Sequence, residues 1–145
     1  MKIMMVCLGN ICRSPLAHGI LQQLADEQGL DWLVESAGTS NWHEGDAPDK
    51  RSIKAAHNLG YDISSLRGWH FKSQYFQEFD RIYVMDRNNL KDVLALAKNE
   101  EEKQKVELFL KSGQEVTDPY YDDNLFESVA LEIEQRCKEL VKELC

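Results

Sequence analysis

The chain is poor in positive charge: 17 Lys and Arg stand against 25 Asp and Glu, a formal net charge of -8. That balance excludes a general polyanion binder, because non-specific nucleic-acid affinity needs many cationic contacts to phosphates. Any anion the protein takes must be met by a local site. No stretch approaches the length of a transmembrane helix, so no membrane association is expected. The apolar start is broken by Cys7, Gly9, Asn10 and Arg13 before a signal-peptide core can form, which makes the cytoplasm the expected compartment. Export by a route that uses no signal would leave no trace here. Cysteines are few: Cys7, Cys12, Cys137 and Cys145. They lack the density of a disulfide scaffold, and no second Cys or His pair sits at metal-ligand spacing, so neither a structural metal nor another cofactor is expected.

What is there suits one domain. Its 145 residues, 43% hydrophobic and 29% charged, are enough for a single core and too few for two, so residues 1–145 are taken as one unit. Residues 2 to 6 form a short apolar run, expected as a buried strand. Ser14 suits an N-cap and Pro15 the first helical position, after which Leu16, Ile20, Leu21 and Leu24 follow at helical spacing up to Gly29. Further strands are expected at Trp32 to Ser36, Arg81 to Met85 and Val106 to Leu110. Helices are expected at Pro48 to Leu59, about Asn88 to Lys98, and Asn124 to Leu144, with the charge run "NEEEKQK" as a solvated helix end or loop. Strands alternating with helices predict an α/β fold: a four-stranded parallel sheet covered by helices on both faces.

The first strand delivers Cys7 into a loop, "CLGNICRSP", that leads into a helix N-terminus. Such a loop is an anion site by construction, since the inward N–H groups of Leu8, Gly9, Asn10, Ile11, Cys12, Arg13 and Ser14 meet the positive end of the helix. Gly9 and Asn10 tolerate the left-handed bend that a curled loop needs. Those N–H groups and Arg13 would stabilise a thiolate on Cys7. Arg13 carries a planar fork matched to two phosphate oxygens, and Ser14 can donate its hydroxyl to the sulfur. The loop lacks the lysine of a Walker nucleotide loop and the three glycines of a dinucleotide fingerprint.

A second constellation, "TDPYYDD", holds Asp118 ahead of a proline that restricts its backbone. Phosphate-ester cleavage needs a carboxylic acid to protonate the departing oxygen, and Tyr120 and Tyr121 could wall in an aromatic leaving group. Trp42, in the long loop after the second strand, is expected at a binding surface, with His43 and Glu44 beside it near flanking residues of a substrate. His18 and His57 are expected as packing or surface residues, and Cys137 and Cys145 as inert.

Taken together these motifs resemble the low-molecular-weight protein tyrosine phosphatases, a family marked by Cys-x5-Arg-Ser near the N-terminus and Asp-Pro-Tyr near the C-terminus. "VCLGNICRSP", "ESAGTS", "APDKRS", "VMDRNNL" and "DPYYDD" fall in the family's order across nearly the whole chain. The resemblance implies hydrolysis of phosphotyrosine and small aryl phosphates through a cysteinyl-phosphate. Cys7 would be the nucleophile, Arg13 the phosphate clamp and Asp118 the general acid and then base. Asn10 and Ser36 would hold the loop's shape, Asp86 would be a structural carboxylate near the site, and Trp42, Tyr120 and Tyr121 would line the mouth. The implied partners are a tyrosine-phosphorylated protein or peptide and free oxyanions such as phosphate, acted on by a monomer. By spacing and by resemblance, Cys12 is expected to form a protective disulfide with an oxidised Cys7. One departure is Gly68-Trp69-His70, where the family commonly carries Ala-Arg-Gln. Arsenate reduction on the same loop is the competing reading; it uses relay cysteines in a central segment, and none lies between Cys12 and Cys137.

Overall fold

A computed structural model describes residues 1–145. Four strands, β1 (Lys2–Cys7), β2 (Leu33–Gly38), β3 (Arg81–Val84) and β4 (Val106–Leu108), form one sheet in the order β2-β1-β3-β4. Every pairing is parallel, with Cys7 opposite Gly38 at the end of β1 and Val6 opposite Val84. The helices are α1 (Arg13–Glu27), α2 (Lys50–Asn58), α3 (Tyr75–Glu78), α4 (Arg87–Leu94), α5 (Glu100–Gln104) and α6 (Phe126–Leu144), the last preceded by a 3-10 turn at Asp123–Leu125. No helix is long and apolar enough to cross a membrane.

Side chains alternate across β1, and each set enters a different core. Ile3, Met5 and Cys7 join Leu16, Ile20 and Leu21 of α1 and Phe126, Ile133 and Leu140 of α6 on one face. Met4 and Val6 join Phe71, Phe76, Phe79, Ile82, Val84 and Val93 on the other. Each large aliphatic side chain withdrawn from water in this way stabilises the fold by about 1.5–3 kcal/mol. β1 is therefore fixed from both sides, and the loop that follows it starts from a rigid point.

Several boundaries differ from the sequence-based expectations, each for a local reason. Ser14 is not the N-cap of α1: Cys12 occupies that position, with no side-chain cap, and the Ser14 hydroxyl is engaged elsewhere. α2 starts at Lys50 rather than Pro48 because the Asp49 side chain accepts from Arg51 N and caps it. β2 runs two residues further, to Gly38, and β4 stops at Leu108. α4 ends at Leu94, and "NEEEKQK" forms the separate helix α5, capped by Asn99. That run is not wholly solvated, since Glu102 is buried and accepts from Gln77 Nε2 and Lys98 N. α3 has no counterpart in the sequence reading.

The strand order reverses between β1 and β3, so the chain leaves β1 for β2 on one side and β3 on the other. In open parallel sheets a crevice opens at this point, beyond the carboxyl ends of the strands. Cys7 ends β1, and Asp86 lies just past β3.

Candidate active site

Cys7 is almost wholly buried, and its Sγ lies 3.0 Å from Ser14 Oγ. Asn10 Nδ2 donates to the same Ser14 oxygen at 2.7 Å. With Asn10 Nδ2 bound at the oxygen, the hydroxyl proton is free to turn toward the sulfur. Asn10 itself sits at φ 56°, in the left-handed region that Asn tolerates better than most residues. Its Oδ1 accepts from Trp69 N at 3.0 Å, which ties the bend of the loop to the 68–70 segment.

The remainder of the loop is fastened through its carbonyls. Thr39 N donates to Cys7 O at 2.9 Å, Ser40 N to Leu8 O at 3.0 Å, and Asp49 N to Ile11 O at 2.8 Å. By contrast, the backbone N–H groups of Leu8 through Ser14 donate to no acceptor within the protein. Carbonyls turned outward and amides left free are the condition for an anion cradle. Gly38 permits this closeness, because a Cβ there would lie 2.8 Å from Leu8 O.

Arg13, 3% exposed, is held by two acceptors: Nη1 donates to Asp86 Oδ2 at 2.7 Å and to Val116 O at 3.0 Å. Burial opposes the guanidinium's charge, yet Cys7, Asp86 and Asp118 outweigh it and raise the pKa above its ordinary value. Nη2 lies 3.8 Å from Asp118 Oδ2. Asp118 is partly exposed, and its Oδ1 accepts from Tyr120 N at 3.1 Å. A cleft of about 230 Å³ joins Cys7, Arg13 and Asp118 to Leu8, Trp42, His43, Tyr120 and Tyr121. Tyr120 and Tyr121 meet edge to face, with centroids 5.0 Å apart, and Trp42 and Tyr121 are largely open to solvent.

Cys12 is buried and its thiol is pushed up to about 12, first by burial and then by the negative charges of Asp49 and Cys7. All four cysteines are free. Ser36 departs from its expected place: its Oγ faces α1, 2.9 Å from His18 Nδ1, and makes no bond to the loop. His18 is thus the partner of a buried serine rather than a general packing residue, and burial lowers its pKa to about 4. His57 is exposed on α2. The Gly68-Trp69-His70 departure has a structural place as well. Gly68 packs where a Cβ would strike His43 O, Trp69 O accepts from Gly38 N, and His70 pairs with Gly38 as an isolated bridge. Trp69 and Val116 carry no chemistry that marks them in sequence, since each acts through a backbone group.

The sequence model of a family described as low molecular weight phosphotyrosine protein phosphatase matches residues 2–145. A Dictyostelium discoideum protein of that name is 36% identical, over 84% of this chain and 80% of its own. The crystal structure of an Entamoeba histolytica protein tyrosine phosphatase with Hepes in the active site superposes with a TM-score of 0.91 at 35% identity, covering 99% of this chain and 96% of that one. A solved Drosophila arginine phosphatase gives a TM-score of 0.90 at 30% identity, over 99% of this chain and 98% of that one.

Proposed function

The chain belongs to the low molecular weight phosphotyrosine protein phosphatase family, and from that premise we propose that it hydrolyses phosphotyrosine and small aryl phosphates in two steps through Cys7. In the first, the Cys7 sulfur attacks phosphorus in line with the ester. The S–P bond forms, the P–O bond to the phenol breaks, and Asp118 gives its proton to the departing oxygen. The free N–H groups of the loop and the Arg13 fork hold the equatorial oxygens, where charge is carried in the transition state. In the second step water attacks phosphorus, Asp118 takes its proton, and the sulfur leaves with the Ser14 hydroxyl donating to it. Inorganic phosphate is released.

The observation that carries this reading is the convergence of the Cys7 sulfur, the Arg13 guanidinium and the Asp118 carboxylate on one cleft walled by aromatic rings. Trp42, Tyr120 and Tyr121 favour a flat leaving group over an aliphatic one. Cys12 is the redox partner in this reading, a resolving thiol for an oxidised Cys7. A reducing cytoplasmic setting suits the enzyme, which we read as a monomer. The test compares phosphate release from phenyl phosphate, a phosphotyrosine peptide and phosphoarginine, alongside thiol-dependent reduction of arsenate. Turnover of the two aryl esters well above the others is expected. Preference for phosphoarginine, or arsenate reduction at a comparable rate, would overturn the assignment.

A further inference from the structure

The "APDKRS" segment lies outside the chemistry above, yet it joins the two halves of the site. Asp49 N donates to Ile11 O of the phosphate loop at 2.8 Å. The Asp49 carboxylate meets Arg51 twice, Nε to Oδ1 at 3.0 Å and Nη2 to Oδ2 at 2.8 Å. The third guanidinium nitrogen, Nη1, donates to Tyr120 O at 3.0 Å and to Asp123 Oδ1 at 2.6 Å. Tyr120 N in turn donates to Asp118 Oδ1 at 3.1 Å. An unbroken run of hydrogen bonds thus leads from the loop carbonyl at Ile11 to the carboxylate at Asp118, with Arg51 as the link between α2 and the 118–125 segment.

Two aromatic rings hold the same group. The Arg51 guanidinium carbon lies 5.2 Å from the centroid of the Tyr120 ring and 4.4 Å from that of Phe126. A planar cation with a fork toward Asp49 and a free edge toward Tyr120 O can satisfy all of these at once. An ammonium cannot.

We propose that Arg51 is a positioning residue for the general acid: by clamping Tyr120 O against Asp49, it sets the Asp118 carboxylate at the leaving oxygen. The proposal rests on the reading of Asp118 as the proton donor. Arg51 is not among the residues that line the cleft. Its influence falls on the step that needs Asp118. A small displacement of a catalytic group can cost as much as about a hundredfold in rate.

The experiment measures kcat/KM, which reports transfer to Cys7, for phenyl phosphate and for dinitrophenyl phosphate, whose leaving group departs without a proton. Four variants are compared with the wild type: Arg51→Lys, Asp123→Asn, Asp118→Asn and the double Arg51→Lys/Asp118→Asn. Thermal melting confirms that each is folded, and Asp123→Asn, altered at an exposed side chain, keeps the test open if Arg51→Lys is not. Arg51→Lys is expected to lose about tenfold to a hundredfold on phenyl phosphate and no more than about twofold on the dinitrophenyl ester. Asp123→Asn should show the same selectivity in smaller measure, and Arg51→Lys should add almost nothing once Asp118 is Asn. Equal losses on both esters in the Arg51 and Asp123 variants, or a full additional loss in the double variant, would overturn the positioning role and leave Asp118 as the acid. Equal losses on both esters in Asp118→Asn would overturn the general-acid reading, and this proposal with it.

Discussion

The Arg13 guanidinium donates to the Asp86 carboxylate at 2.7 Å, and that carboxylate does two things at once. Oδ2 receives Arg13, while Oδ1 caps α4 by accepting from Asn89 N at 2.8 Å. The helix that follows β3 and the buried cation of the Cys7–Ser14 loop are therefore set by a single side chain. Asp86→Asn cannot serve both, because an amide has one oxygen and would turn its NH2 toward either Arg13 or Asn89. The expected cost is about 1–3 kcal/mol, typical of a buried donor left without its acceptor. A thermal melt should show the lower stability, and inhibition by inorganic phosphate should weaken. An unchanged melt with unchanged inhibition would mean that Arg13 is held without Asp86.

Arg13→Lys keeps the charge and loses the geometry. Lysine cannot meet Asp86 Oδ2, Val116 O and two phosphate oxygens from one planar group. The loss in kcat/KM should exceed about a hundredfold, in line with removal of a preorganised donor to transition-state charge. A loss below about tenfold would mean that Arg13 does not face the transferring group.

His18 gives the stability a pH dependence. Burial lowers its pKa to about 4, against 6.5 for the ordinary side chain, so the unfolded chain binds the proton more readily. Stability from this group is therefore complete above about pH 6.5 and is lost as pH falls toward about 4. Melting temperatures of wild type and His18→Gln, compared from pH 7 to 5, should diverge, with the wild type falling more steeply. Parallel curves would show that His18 titrates no differently in the folded protein.

Cys12 is held as a thiol by burial and by Asp49, which suits a resolving partner rather than the first site of oxidation. Peroxide would convert Cys7 to a sulfenic acid; the Cys12 thiol would then displace hydroxide to form the disulfide and water. Wild type and Cys12→Ala, treated with peroxide and then dithiothreitol, should differ, with activity recovered only in the wild type and a crosslinked loop peptide visible by mass. Equal recovery without a crosslink would reduce Cys12 to packing.

The parallel sheet, the loop from Cys7 to Ser14 and the Asp118-Pro119 pair were legible because their signals are local: an apolar run, an asparagine that tolerates the left-handed bend (Gly9, expected to share it, does not take positive φ), a serine-proline helix start. That last signal also misled. Ser14 looks like an N-cap, but its hydroxyl is drawn to the Cys7 sulfur across the curl of the loop. Ser36 misled in the same way, since its partner His18 lies on the other element and only the β1–α1–β2 packing brings them together. Asn10 with Trp69 and Arg13 with Val116 span 59 and 103 positions through backbone groups. No side-chain pattern announces such contacts.

The central claim is a covalent bond between phosphorus and the Cys7 sulfur. Wild type and Cys7→Ser, mixed with phenyl phosphate, quenched in acid within the first turnovers and digested, give peptides whose masses report the loop directly. The account predicts a phosphate adduct on the Cys7 peptide of the wild type, and in Cys7→Ser neither adduct nor turnover, with phosphate still bound by the loop N–H groups and Arg13. Turnover near the wild-type rate in Cys7→Ser, with no adduct in either protein, would contradict it.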